Sequence, residues 1–209
     1  MKKFEISSWS RKEQFDFFKD YEDPFFSISH NLDVTKLYSF CKENDLSFIL
    51  SLYYYAIRTA NNIVEFRLRL LDGEVYDVEN MEMGSTVLNN DDGFFFCYFP
   101  SSDSVEAYNR DGKELIEKHK SNTDNFEAKV NDLAVIHGSV LPWISFTSIK
   151  HARNGDEKDK GIPKFVFGKY FEHNDKKLMP FTIDVHHALM DGFHVAKFLD
   201  SFQGIINEL

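Results

Sequence analysis

Cysteine is scarce: only Cys41 and Cys97 occur among the 209 residues. Both sit inside apolar patterns, so each reads as a small core side chain, and neither a disulfide framework nor a cysteine zinc site is indicated. Basic residues are also few, 24 Lys and Arg against 34 Asp and Glu, for a net charge of −10. Nucleic acid rewards basic surfaces, so this balance argues against it as a partner. No stretch approaches the roughly 18 apolar residues of a membrane span. Met1-Lys2-Lys3 has the charge of a signal-peptide start, but Glu5, Ser7, Ser8 and Arg11 interrupt any apolar run behind it. A cytoplasmic protein without membrane contact is therefore expected. A Gly-x-Ser-x-Gly nucleophile elbow is absent, and so is any internal repeat.

Aromatic side chains are abundant instead, with 22 Phe and 9 Tyr. They imply a large core together with an aromatic pocket or a subunit interface. The length suits one domain over residues 1–209. Ser10-Arg11-Lys12-Glu13 has the form of a capping box, predicting a helix that carries Phe15, Phe17 and Phe18 and ends before Pro24. Phe25 to Ser29 reads as a strand. A helix opens at Asp33-Val34, and another, apolar around most of its circumference, follows the cap Ser47. Phe66 to Leu70 alternates as a strand, turns at Asp72-Gly73 and returns from Glu74 to Val78. Thr86 to Leu88 is a strand, and Phe94 to Phe99, apolar on both faces, reads as a central one. Asp103 or Ser104 starts a further helix. Leu133 to Ile136 and Trp143 to Thr147 read as short strands, with a charged surface loop from His151 to Gly161. Lys164 to Phe171 and Leu178 to His187 form a hairpin about Asn174-Asp175. Strands and helices mix without a βαβ rhythm, so an α/β (α+β layered) fold is expected, a mixed sheet packed with helices.

The most informative stretch lies near the C-terminus. Phe181, Ile183, Val185 and His187 share one face of a strand, while Thr182, Asp184 and His186 share the other. The apolar face is the one expected to be buried, and His187 ends it. After Asp191-Gly192 the period changes: Val195, Phe198, Leu199, Phe202, Ile205, Ile206 and Leu209 follow an amphipathic helix. A neutral imidazole held at such a strand–turn–helix junction can act as a general base. The plainer alternative is a core histidine followed by an aspartate N-cap. A metal site is not expected, although His186, His187, Asp191 and His194 cluster in sequence, because adjacent strand histidines face opposite ways.

His-His-Ala-Leu-Met-Asp-Gly-Phe-His-Val-Ala-Lys-Phe-Leu, from His186 to Leu199, resembles the active-site signature of the chloramphenicol acetyltransferase family, the trimeric type. The signature recurs in related acyltransferases and in condensation domains. Three more landmarks are specific to the family and appear in its order. Trp9 to Phe15 is similar to the N-terminal Trp-x-Arg-(Arg/Lys)-Glu-His-Phe run, with Gln14 for His. Ser139-Val140-Leu141-Pro142-Trp143 is similar to Ser-Ala-Leu-Pro-Trp, and Gly168-Lys169-Tyr170 to the stretch before the last hairpin.

The resemblance implies the fold of coenzyme A-dependent acyltransferases and an acetyl-CoA-dependent O-acetyltransferase acting by direct transfer. Neither metal nor covalent cofactor is implied. His187 would be the general base on the acceptor hydroxyl, with His186 a structural neighbour. Asp191 would pair with Arg11, whose plain alternative is a solvated first-turn arginine. Ser139 would donate to the oxyanion, its plain alternative being a local turn hydrogen bond. Phe18, Phe126 and His137 would line the acceptor site. Tyr170 and Trp143 would meet coenzyme A, unless they are core aromatics. A homotrimer is implied, with each site between two subunits. Glu22, Pro24, His137, Ile149, His151 and Val166 depart from the family's usual pocket residues. They leave open a different hydroxyl acceptor, and a binder without catalysis remains the non-enzymatic alternative.

Overall fold

The computed structural model describes residues 1–89, 93–120, 129, 132–153 and 161–209. The chain starts with a two-residue strand, β1 (Lys2–Lys3), a 3-10 turn at Ile6–Ser8 and a short helix, α1 (Lys12–Phe18). The Ser10 capping box does not form. Arg11 is the N-cap and makes no side-chain cap bond. A turn closed by the Lys12 N–H on the Trp9 carbonyl, 3.0 Å, delays the helix by one residue. Strand β2 (Phe25–Asp33) runs four residues past its expected end and feeds α2 (Thr35–Glu43), whose first turn is held by the Asp33 carboxylate. Helix α3 (Phe48–Asn61) starts at the expected cap, with Ser47 Oγ accepting from the Leu50 N–H. From Leu50 to Ala60 every residue but Arg58 is buried, as its all-round apolar sequence requires.

A single helical turn, α4 (Val64–Arg67), precedes the hairpin of β3 (Leu68–Leu71) and β4 (Glu74–Asp77). The strand expected from Phe66 thus begins two residues later. Phe66 turns into the core and stacks on Phe198 at 4.8 Å, a contact that five residues of alternation cannot foretell. Asp72 and Gly73 both have positive φ, 51° and 77°, as a tight two-residue hairpin turn demands. Then come β5 (Glu82–Leu88), β6 (Phe94–Phe99), α5 (Val105–Lys120), β7 (Val135–Leu141), β8 (Lys164–Gly168), β9 (Phe171–His173), β10 (Lys176–His186) and α6 (Gly192–Asn207). Ser104 Oγ caps α5 through the Ala107 N–H. Trp143 to Thr147 is not a strand: the chain turns at Pro142-Trp143 and runs on irregularly.

Strands β1, β4 and β3 form a small sheet, and the main sheet has the order β2-β10-β8-β7-β5-β6, with β9 also pairing β10. Pairings β5–β7 and β7–β8 are parallel and the others antiparallel, which makes the sheet mixed. The helices cover one face over a core rich in Phe165, Phe167, Phe181, Phe198 and Phe202. Cys41 and Cys97 are buried free thiols in that core.

Two expectations are corrected here. Strand β6 lies at the sheet edge, not its centre. Phe95, Cys97 and Phe99 enter the core, whereas Phe94 is 43% exposed and Phe96 and Tyr98 are half-buried, so the second apolar face is only partly buried. Strand β10 is buried on both faces, including Thr182, Asp184 and His186. The reason is the segment from Ile144 to Arg153, which crosses the face opposite the helices. Gly168 admits it: a Cβ there would lie 2.9 Å from the Phe146 ring and 3.1 Å from the Ile144 carbonyl. Arg153, expected in a solvated loop, is instead buried against Asp184, while residues 154–160 of that loop lie outside the described residues. Among the described residues no helix is long and apolar enough to cross a membrane.

Candidate active site

The sheet ends and α6 begins in the turn from His187 to Asp191. His187 stacks face to face on Phe18 at 3.9 Å between ring centres and meets Phe26 at 4.6 Å. Its backbone N–H donates to the Pro24 carbonyl at 2.8 Å. Its Nδ1 is buried with no partner among the described residues. The ring as a whole is half-buried, so it retains an accessible edge. His186 points the other way, as alternation requires. It is buried, its Nδ1 accepts from the Ala188 N–H at 3.2 Å, and it meets the Phe25 ring at 4.9 Å.

Arg11 and Asp191, 180 residues apart, form the expected pair. Arg11 Nε donates to Asp191 Oδ2 at 3.3 Å, Nη1 to the Ala188 carbonyl at 3.2 Å and Nη2 to the His187 carbonyl at 3.3 Å. Trp9 lies under the guanidinium at 5.2 Å. The clamp thus grips the backbone of His187 itself, and Arg11 is not a solvated arginine. Asp191 also caps α6, accepting from the Phe193 N–H at 3.0 Å, so pairing and capping are both realised. Its carboxyl pKa is lowered: burial opposes ionisation, and His194, Arg11 and the Phe193 N–H together outweigh it. Among the described residues no three metal-ligating side chains converge.

Ser139 lies elsewhere. It sits inside β7, half-buried on the face opposite the helices, and its hydroxyl bonds to no other described residue, so a local turn bond is not its role. It registers with Val166 of β8, which registers with Thr182 of β10. Two strand spacings are about 10 Å, and the five residues from Thr182 to His187 add about 16 Å along the strand, so Ser139 and His187 are roughly 19 Å apart within one chain. His137 shares the Ser139 face and registers with Lys164. Burial, followed by the positive charges of Lys164, Arg153 and Arg69 and by His151, pushes its pKa down to about 4, keeping the ring neutral. Phe126 lies outside the described residues.

Tyr170 packs edge-on against Tyr38 at 5.5 Å and Phe48 at 6.3 Å, with the Lys177 ammonium 5.2 Å from its ring. Trp143 is 62% exposed and so is not a core aromatic. The chain after Trp143 meets the chain before Tyr170, where the Lys169 N–H donates to the Ile144 carbonyl at 2.8 Å. Beside this junction opens a cavity of about 500 Å³, lined by Ser29, Asn31, Ser145, Phe146, Thr147 and Phe171 among others. Sequence reasoning missed the buried ion pair on the same face. Arg153 Nη2 and Nε reach Asp184 Oδ1 at 2.7 and 3.2 Å, Ser27 Oγ donates to Asp184 Oδ2 at 3.0 Å, and the guanidinium lies 3.5 Å over Phe25. Asp184 on a strand is the only signal, since a buried carboxylate needs a counter-charge.

Comparisons with known proteins match this architecture. The family model described as chloramphenicol acetyltransferase matches residues 1–203. The chain is 30% identical over 213 residues to a chloramphenicol acetyltransferase of Proteus mirabilis, covering 98% of this chain and 94% of that one. It is 27% identical over 206 residues to chloramphenicol acetyltransferase 3 of Escherichia coli, covering 98% and 96%. A solved chloramphenicol acetyltransferase superposes with a TM-score of 0.88 at 26% identity, covering 97% of this chain and 98% of the other. Strand order, the His187 turn and these matches over nearly the whole length lead to one conclusion: the chain is an acyltransferase that belongs to the chloramphenicol acetyltransferase family.

Proposed function

We propose that the protein transfers the acetyl group of acetyl-CoA to a hydroxyl of chloramphenicol, with His187 as general base. The observation that carries this reading is the Arg11 clamp, which binds the His187 and Ala188 carbonyls and thereby fixes the turn that displays the imidazole. Nδ1 is sealed, so Nε2 is the nitrogen that takes the hydroxyl proton. Stacking on Phe18 holds the ring plane. The oxygen then attacks the thioester carbon, and the Ser139 hydroxyl, which bonds to no other described residue, donates to the oxygen on which charge develops. Coenzyme A leaves as the thiol, with no acyl-enzyme. The cavity lined by Ser145, Phe146, Thr147 and Phe171 has the size of a small-molecule site and lies on the face of the sheet that carries Ser139, which suits it to the pantetheine end of acetyl-CoA.

The separation of roughly 19 Å between His187 and Ser139 means that one chain cannot supply both to one reacting centre. A homotrimer with the site between subunits meets that requirement, His187 coming from one subunit and Ser139 and His137 from the next. The exposed Phe94, Trp143 and Ile144 give such an interface apolar surface.

The test is release of free coenzyme A thiol from acetyl-CoA with and without chloramphenicol. Chloramphenicol-dependent release is expected. Release only with another alcohol in a panel of hydroxyl acceptors would assign a different acceptor. No release with any acceptor would leave a binder.

A further inference from the structure

The charged network at the start of α6 extends beyond Arg11 and Asp191. His194, 8% exposed, has Nδ1 2.9 Å from Asp191 Oδ1 and Nε2 3.5 Å from Glu65 Oε1. Packing explains the meeting. Phe66 of α4 stacks on Phe198 of α6, so the residue before Phe66 faces the residue one helical turn before Phe198. Both side chains are largely buried, the Glu65 side chain retaining 17% of its exposure.

Chemistry orders the contacts. His194 Nδ1 lies 2.9 Å from Asp191 Oδ1 and 3.2 Å from the Asp191 N–H, and Nε2 faces the Glu65 carboxylate. A carboxylate oxygen only accepts, so with the proton on Nδ1 the ring donates to Oδ1, and with it on Nε2 the ring accepts the Asp191 N–H and donates toward Glu65, both arrangements tying the ring to Asp191. Asp191 then has distinct partners for its two oxygens: Oδ1 takes His194 and the Phe193 N–H, and Oδ2 takes Arg11. Charge-assisted bonds of this kind fix a carboxylate's plane as well as its place. Glu65, His194, Asp191 and Arg11 form one chain of contacts, and it ends on the His187 carbonyl.

We propose that His194, backed by Glu65, is a positioning residue for acyl transfer. It orients the Asp191 carboxylate toward Arg11 and, through Arg11, holds the turn that carries His187. The inference rests on the reading of His187 as the base. Misplacement of a catalytic group by about 1 Å can cost on the order of 100-fold in rate.

The experiment measures kcat and KM for acetyl-CoA and chloramphenicol, with thermal melts, for His194→Ala, His194→Asn and Glu65→Gln, each in the parent and in an Arg11→Ala background. His194→Ala is expected to lower kcat about 10-fold to 100-fold with both KM values unchanged. His194→Asn, which keeps an N–H near the Nδ1 position, should recover most of that loss. In the Arg11→Ala background His194→Ala should cost less than about 2-fold more, because residues acting in one chain are non-additive. Full additivity with Arg11→Ala, an unchanged kcat, or an asparagine variant no better than alanine would each overturn the proposal. If His194→Ala does not fold, near-isosteric Glu65→Gln decides: a fall in kcat that vanishes without Arg11 supports it, and no fall sinks it. Full activity in His187→Ala would instead sink the underlying reading, whatever the His194 variants do.

Discussion

At the scale of single residues, the adjacent histidines divide their work by the period of the strand. His187 meets Phe18 and Phe26 at the mouth of the turn, whereas His186 is buried and accepts from the Ala188 N–H. His187→Ala should therefore lower the rate of thiol release about 100-fold to 10,000-fold without altering the melting temperature much. His186→Ala should leave a buried N–H unpaired, costing about 1–3 kcal/mol of stability, while the folded fraction stays active. Equal inactivity in a folded His186 variant would refute this division. On the proposed reading, in which its hydroxyl acts only once charge reaches the thioester oxygen, Ser139→Ala should lower kcat about thirty-fold to a thousand-fold with the acceptor KM unchanged. A raised KM with kcat intact would make it a binding residue. His137 makes a prediction about pH. Its folded pKa is about 4 against an ordinary 6.5, so between those values the unfolded chain binds the extra proton and stability falls as pH falls. The full loss is up to about 3 kcal/mol, and His137→Asn should flatten the pH dependence of urea unfolding in that window. An unchanged slope would mean that the ring is not held neutral.

At the scale of elements, the site is a junction. Strand β10 ends, five residues turn, α6 starts, and Arg11 ties the turn to the N-terminal segment. Arg11→Ala removes three donors at once from Asp191 and two carbonyls, leaving the carboxylate only its His194 and Phe193 partners. A loss of roughly 1–2 kcal/mol in stability is expected from breaking this partly exposed pair and its two carbonyl bonds, with kcat falling further than either KM. A variant with parental kcat would show that the clamp does not serve the base. This junction is also where sequence is most legible. The switch from period 2 to period 3.6 at Asp191-Gly192 and the cap at Ser47 are local signals, and both elements begin where the residues indicate. The Arg11–Asp191 pair spans 180 residues, and only the family resemblance points to it. Illegible features depend on tertiary neighbours. Phe66 is recruited by Phe198, Arg153 is drawn to Asp184, and His194 meets Glu65 only because α4 docks on α6. The misplacement of β6 has a different cause. An apolar outer face reads as burial, and the sequence does not say whether the covering surface belongs to the same chain.

At the scale of the whole molecule, the Ser139–His187 separation bears on one question, the composition of a complete site. Registers through Val166 and Thr182 put the two residues roughly 19 Å apart in one chain. Shape changes of ordinary size on binding do not close such a gap, which spans two sheet strands of fixed spacing. If each site takes His187 from one subunit and Ser139 from its neighbour, the two defects can be separated onto different chains. Neither His187→Ala nor Ser139→Ala homotrimers contain an intact site. Co-refolded in equal amounts, they form mixed trimers in which an interface is intact only when a Ser139→Ala subunit lends His187 to a His187→Ala neighbour. Random assembly of a cyclic trimer makes that about one interface in four, so activity should recover to about a quarter of the parental value. Mixing the folded homotrimers without unfolding should recover none until subunits exchange. Recovery near zero after verified co-assembly would mean that one chain supplies both residues. Light scattering reporting a fully active monomer would overturn the shared site altogether.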